Sequence, residues 1–184
     1  MLGLVTSSAA LVAGAAPASA GGPPPPPQTF VETTDDVVDP TDGLLSLREA
    51  VDEANADAIA NQIVLQEDAT YVLDECGGAT DENDNVGGDL DHTAQELLWV
   101  LGNGATIEQT CSGERVLHDL NPDQPLFLED LTVTGGRTAG SGGGVNLGGG
   151  GQLDGVTVEG NTSGHVNGGG GVAAALGLVI RDST

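Results

Sequence analysis

Three stretches, EDLTVTGG (129–136), DGVTVEGN (154–161) and RDST (181–184), align on Thr132, Thr157 and Thr184, at spacings of 25 and 27 residues. The strings GGGV at 142–145 and 169–172 repeat at the same 27. A period of roughly 20–30 residues, made of short β-type runs and glycine corners, marks a solenoid. In such a coil Leu128, Leu131 and Val133 stack on Leu153, Val156 and Val158, like on like, around a narrow apolar interior. The 17 glycines among residues 135–171 would also suit a flexible linker, but the registered apolar positions decide against one. The expected fold is all-β, a right-handed parallel β-helix.

Upstream, further strand-length apolar runs occur at Ile63-Val64-Leu65, Tyr71-Val72-Leu73, Leu97 to Leu101, Thr106-Ile107 and Val116-Leu117. Glu67-Asp68 and Gly102-Asn103-Gly104 read as the turns between them. One segment breaks the pattern. Ser46 and Glu49 form a capping box, and Leu47, Ala50, Val51 and Ala54 follow at helical spacing. Arg48, Glu49, Asp52, Glu53 and Asn55 fall on the opposite face, with Arg48 and Asp52 placed for an i, i+4 ion pair. A helix over 46–55 is too short to stand alone and needs a surface to cover. The open first coil of a solenoid supplies one, so the helix is expected to cap it.

Residues 2–16 form an apolar run ending at Ala18-Ser19-Ala20, the pattern of a secretory signal over residues 1–20. The run is too short to span a bilayer. A proline-rich linker follows at 21–28, with five consecutive prolines from Pro23. The β-helix domain then occupies 29–184, with a cap at 29–60 and coils at 61–184. Thr184 falls mid-coil by the repeat alignment, so the natural product is expected to continue through more coils, and the chain is read as a fragment.

The motif LSLREAV (45–51) with Ala54-Asn55, the string GDLD (88–91) and the block GNGATIEQTCSGERVL (102–117) together resemble a family of exported bacterial proteins. That family is named for a CSLREA motif and is built as a right-handed parallel β-helix; it is more loosely similar to polymorphic outer-membrane proteins and adhesins. The resemblance implies export and architecture, and no established reaction. Leu45 stands where the motif has Cys, and His92 stands where an apolar residue follows GDLD. The second difference weakens a buried-strand reading at that point.

The chain holds 28 acidic residues, four Arg and no Lys, for a net charge of −24. No basic footprint for nucleic acid can be assembled from that set. Hydrolase and metalloprotease signatures are missing, and His92, His118 and His165 lack metal-ligand spacing along the sequence, so no catalytic residue is assigned. The acidic stretch 81–91 is the best ligand candidate: Asp81, Asn83, Asp89 and Asp91 offer the oxygen ligands that calcium prefers. Asp35, Asp36, Asp39 and Asp42 form a second, weaker cluster. Cys76 and Cys111, the two cysteines, are expected to pair in an exported chain. These observations favour a secreted or cell-surface protein with a structural or adhesive role, facing an unknown surface or carbohydrate ligand. The alternative is an exported polysaccharide lyase or glycoside hydrolase, which the scarcity of cationic residues disfavours.

Overall fold

The computed structural model describes residues 26–77 and 83–184. The expected signal at 1–20, linker residues 21–25 and Asp81 lie outside the described residues. The chain opens with β1 (Gln28–Phe30) and α1 (Leu47–Ala56), followed by β2 (Asn61–Val64), β3 (Thr70–Leu73), β4 (Leu90–His92) and β5 (Leu98–Gln109). Next come β6 (Leu117–Asp119), β7 (Leu126–Thr134), β8 (Arg137–Thr138), β9 (Val145–Leu147) and β10 (Gly151–Asp154). The last four are β11 (Thr157–Glu159), β12 (Thr162–Ser163), β13 (Val172–Ala174) and β14 (Leu178–Arg181).

Strand pairings are parallel throughout the described residues. The first sheet runs β1-β2-β5-β7-β10-β14, with β3 on β5 and β11 on β7. The second runs β13-β9-β6-β4, and β8 pairs with β12 alone. Successive coils therefore lie on one another, and the molecule is a parallel β-solenoid with one capping helix. Its interior consists of registered rows. Ile63, Val100, Leu128 and Leu153 form one, and Tyr71, Ile107 and Val133 another. Each of these side chains is buried, a gain of roughly 1.5–3 kcal/mol per large aliphatic.

The repeat alignment holds at the level of hydrogen bonds. Thr157 pairs with Thr132, and Val145 with Val172. Thr184 donates to Val156 and accepts from Val158, which sets it beside Thr157. One expectation is corrected. Gly102-Asn103-Gly104 does not separate two strands but bends one, β5, with a register shift between Leu101 and Ala105. This is the coil corner. Asp68, Asn103, Asp130 and Asp182 all take positive φ there, near 50°, and Gly155 takes the same place in its coil with φ 65°. Asp and Asn tolerate the left-handed region better than other side chains. The corner therefore passes with few glycines.

The helix begins as the sequence predicts, with Ser46 and Glu49 satisfying each other's backbone N–H groups. Leu47, Ala50, Val51 and Ala54 enter the core cluster against β2 and β4. The polar face is the surprise. Arg48 is completely buried and pairs with Asp36, not Asp52. Its Nε donates to Asp36 Oδ1 at 2.8 Å and Nη2 to Oδ2 at 3.0 Å. The remaining donors reach the carbonyls of Gly88 at 3.1 Å and Asp89 at 3.3 Å. Asp36 Oδ2 also accepts the N–H groups of Asp74 and Glu75, each at 2.9 Å. Asn55, expected on the outer face, accepts from Thr93 and Ala94 and donates to the Asp91 carbonyl. A helix i, i+4 pair lost to a buried bidentate one because the guanidinium fork matches a carboxylate and two carbonyls at once.

Cys76 and Cys111 form the expected disulfide, with Cα atoms 5.3 Å apart across 35 residues. It joins the segment after β3 to the end of β5. By the loop-entropy model such a ring contributes about 3.5–4 kcal/mol.

Gly135 tests the packing of the corners. Its φ is +84°, and an added Cβ would collide with the Gln109 carbonyl oxygen of the preceding coil. Gly43 has φ +79° and nothing within 4 Å. Gly135→Ala should therefore lose about 2–4 kcal/mol in urea denaturation, from backbone strain and overpacking together. Gly43→Ala should lose only about 1 kcal/mol, from strain. Equal losses would show that inter-coil spacing is not tight at this corner.

Candidate functional site

Strands β4 and β6 pair in register, with Asp91 opposite His118 and His92 opposite Asp119. One rung reads Asp-His and the next His-Asp, so each face of the pair sets a carboxylate over an imidazole. Adjacent residues of a strand face opposite sides. His92 and Asp119 share their row with Leu147 of the core, and their contact is 2.9 Å between Nδ1 and Oδ1. His92 is therefore a buried strand residue, contrary to the expectation at that position. It is tolerated inside because the next rung brings its own acid.

On the opposite face Asp91 Oδ1 lies 3.2 Å from His118 Nδ1. The segment 83–89 closes over this pair. Asn85, buried and at φ 53°, brackets the Asp91 backbone, donating to its carbonyl at 2.8 Å and accepting its N–H at 2.7 Å. Gly87 approaches the backbone of Glu75 and Gly77 so closely that a Cβ would not fit. The Gly88 carbonyl accepts from Arg48 and from Gln109 Nε2. The loop is thus fixed from three sides by backbone contacts, and it delivers Asp89 inward.

Asp89 is fully buried, and neither carboxylate oxygen accepts a hydrogen bond. Arg115 Nη1 stands 3.6 Å from Oδ2, an ion pair without hydrogen-bond contact. Burial, and then the neighbouring Asp91 charge, push the Asp89 carboxyl up to about 7, against the opposing pull of His118 and Arg115. Ligand atoms of Asp89, Asp91 and His118 all lie within 4.8 Å of one another. Two carboxylates and an imidazole converging in a covered space can hold a cation or a shared proton.

Of the residues expected to bind calcium, Asp81 lies outside the described residues and Asn83 is exposed. Asp89 and Asp91 come together, with His118 as a third member. Sequence reasoning missed His118 because it sought spacing along the chain. The signal was the coil period: His118 follows Asp91 by 27 residues, the spacing of the GGGV strings. The second acidic cluster disperses. Asp36 binds Arg48, while Asp39 and Asp42 accept the backbone N–H groups of Thr41 and Leu44 in local turns.

The Asp89 shift has a definite sign. A carboxyl raised on folding holds a proton that the unfolded chain releases near its ordinary value. Its contribution is complete below that value and is lost as pH rises through about 7. With a chelator present, the Asp89 contribution to urea stability should fall between about pH 4 and pH 7, and Asp89→Asn should flatten the fall. A stability that rises over this window, or is unchanged by the substitution, would contradict the assignment.

No protein-family model, curated protein or solved structure matches the chain, so neither an activity nor a residue role can be carried across to it.

Proposed function

We propose that this chain is an exported β-solenoid module with a structural or adhesive role at a cell surface, passive in chemistry. The observation that carries the reading is the burial of the carboxylates in both His–carboxylate groups. Asp89, Asp91 and Asp119 are buried, as is His92, and His118 is half-buried, which leaves a polymeric substrate no open approach to the acids. Glycosidic cleavage needs its carboxyl pair on either side of a bound sugar. A lyase additionally needs cationic groups facing its acidic substrate. Arg48 and Arg115 are buried, which leaves Arg137 and Arg181 as the exposed arginines.

The disulfide fits an oxidising compartment. Among the described residues no helix is long and apolar enough to cross a membrane. The resemblance to the CSLREA-motif family points the same way. An adhesive contact would fall on the outer row of the first sheet, where half-buried Trp99 and Phe127 sit on adjacent coils with ring centroids 5.6 Å apart.

The test is turnover. Incubated with neutral and acidic cell-wall polysaccharides, the chain should release no new reducing ends and form no unsaturated sugar beyond a heat-killed control. Product that disappears when exposed carboxylates are changed to amides would sink the reading.

A further inference from the structure

We propose that Asp89, Asp91 and His118 form a site for a single divalent transition-metal cation of the zinc type, which locks the 83–89 segment onto β4 and β6. The proposal stands on convergence and on two polar groups left unsatisfied. Ligand atoms from the three side chains lie within 4.8 Å of one another. Asp89 is completely buried with no hydrogen bond to either oxygen. A carboxylate in that state costs several kcal/mol unless something positive sits against it. Arg115, at 3.6 Å, is too distant to hydrogen-bond it. His118 Nδ1 also has no hydrogen-bond partner, although Asp91 Oδ1 is 3.2 Å away. An imidazole nitrogen and a carboxylate oxygen at that separation can both reach one ion.

Charge agrees with this. Asp89, Asp91 and Glu114 are all buried, and Glu114 is near enough for its charge to act on Asp89. A cation at this point offsets the repulsion between the neighbouring Asp89 and Asp91 carboxylates. The donor set chooses among divalent ions. Calcium and magnesium take oxygen ligands and hold water, whereas an imidazole with carboxylates suits zinc and its neighbours. The 3.2 Å separation of Nδ1 and Oδ1 is close to the edge of a tetrahedron with bonds of about 2.0–2.1 Å, roughly 3.3–3.4 Å. The calcium expected from the acidic stretch is replaced by a different ion because the solenoid adds a nitrogen ligand from the next coil.

The experiment uses the full chain, stripped with a chelator in denaturant and refolded with Zn²⁺, Ca²⁺ or Mg²⁺ at constant ionic strength. Refolding with the ion present allows for a sealed site. One Zn²⁺ per chain should survive desalting and raise the melting midpoint, while Ca²⁺ and Mg²⁺ should do neither. Co²⁺ should give visible absorption bands that added Zn²⁺ erases. His118→Gln and Asp89→Asn should weaken Zn²⁺ binding at least about ten-fold, and His165→Gln, at an exposed position, should leave it unchanged. If either cluster variant fails to fold, the wild-type stoichiometry and Co²⁺ spectrum decide alone. Absence of retained Zn²⁺, equal stabilisation by Ca²⁺, or full Zn²⁺ affinity in a folded His118→Gln would each overturn the proposal.

Discussion

The N-terminal end of this solenoid depends on one buried ion pair, Arg48 with Asp36. The guanidinium reaches from the first turn of α1 to Asp36 and to the carbonyls of Gly88 and Asp89. The carboxylate in turn holds the N–H groups of Asp74 and Glu75. Four chain segments meet at this node: the stretch before the helix, the helix, the exit of β3, and the loop that delivers Asp89. A buried ion pair is weak evidence for net stability, since desolvation offsets much of the attraction. What it supplies here is position. An apolar residue at 48 could fill the space but could not donate to the Gly88 and Asp89 carbonyls, and so could not tie down the segment that covers the carboxylate–histidine cluster.

The two ends of the solenoid use different materials. Around β4 and β6 the interior holds His92 against Asp119, and the opposite face holds Asp89 and Asp91 close to His118. In the following coils the His92–Asp119 row continues as Leu147 and Ala174, and the Asp91–His118 row as Asn146 and Ala173. The apolar coils need only volume and register, so glycine and small aliphatics suffice. In the polar coils each charged group is placed by a specific partner, His92 by Asp119 and His118 by Asp91 from the adjacent coil, while the cap's Arg48 holds the loop that carries Asp89. That is why a capping helix and an acidic loop occur together. Arg48 ties the loop to the cap through the Gly88 and Asp89 carbonyls, and the burial of Arg48 is in turn compensated by Asp36 and those carbonyls.

Much of this was legible in the sequence. The Thr132, Thr157 and Thr184 alignment gave the coil period, and the Ser46–Glu49 box gave the helix start, because both rest on local chemistry. The cysteine pair followed from compartment and count. The faces of the helix were misjudged at Arg48 and Asn55, since periodicity assigns polar residues outward and cannot see a carboxylate arriving from residue 36. The Gly102–Gly104 corner reads as a strand boundary in sequence because a left-handed corner and a turn use the same residues. His92 and His118 were undervalued because their partners are one coil away. Once coil positions are compared instead of neighbours, Asp91 over His118 and His92 over Asp119 are both visible.

The central claim is that the Asp36–Arg48 pair organises the cap, the β3 exit and the acidic loop as one unit. A double-mutant cycle with Asp36→Asn and Arg48→Met, followed by hydrogen exchange on each folded variant, tests it most directly. Arg48→Met alone should cost about 3–5 kcal/mol, because it strands a buried carboxylate, and the double variant should recover part of that loss. Exchange protection should fall together at the amides of Asp74 and Glu75, which bond Asp36, and of Gly88, which bonds the Glu75 carbonyl. Additive losses, or deprotection confined to the helix with Gly88 and Glu75 unchanged, would contradict the account.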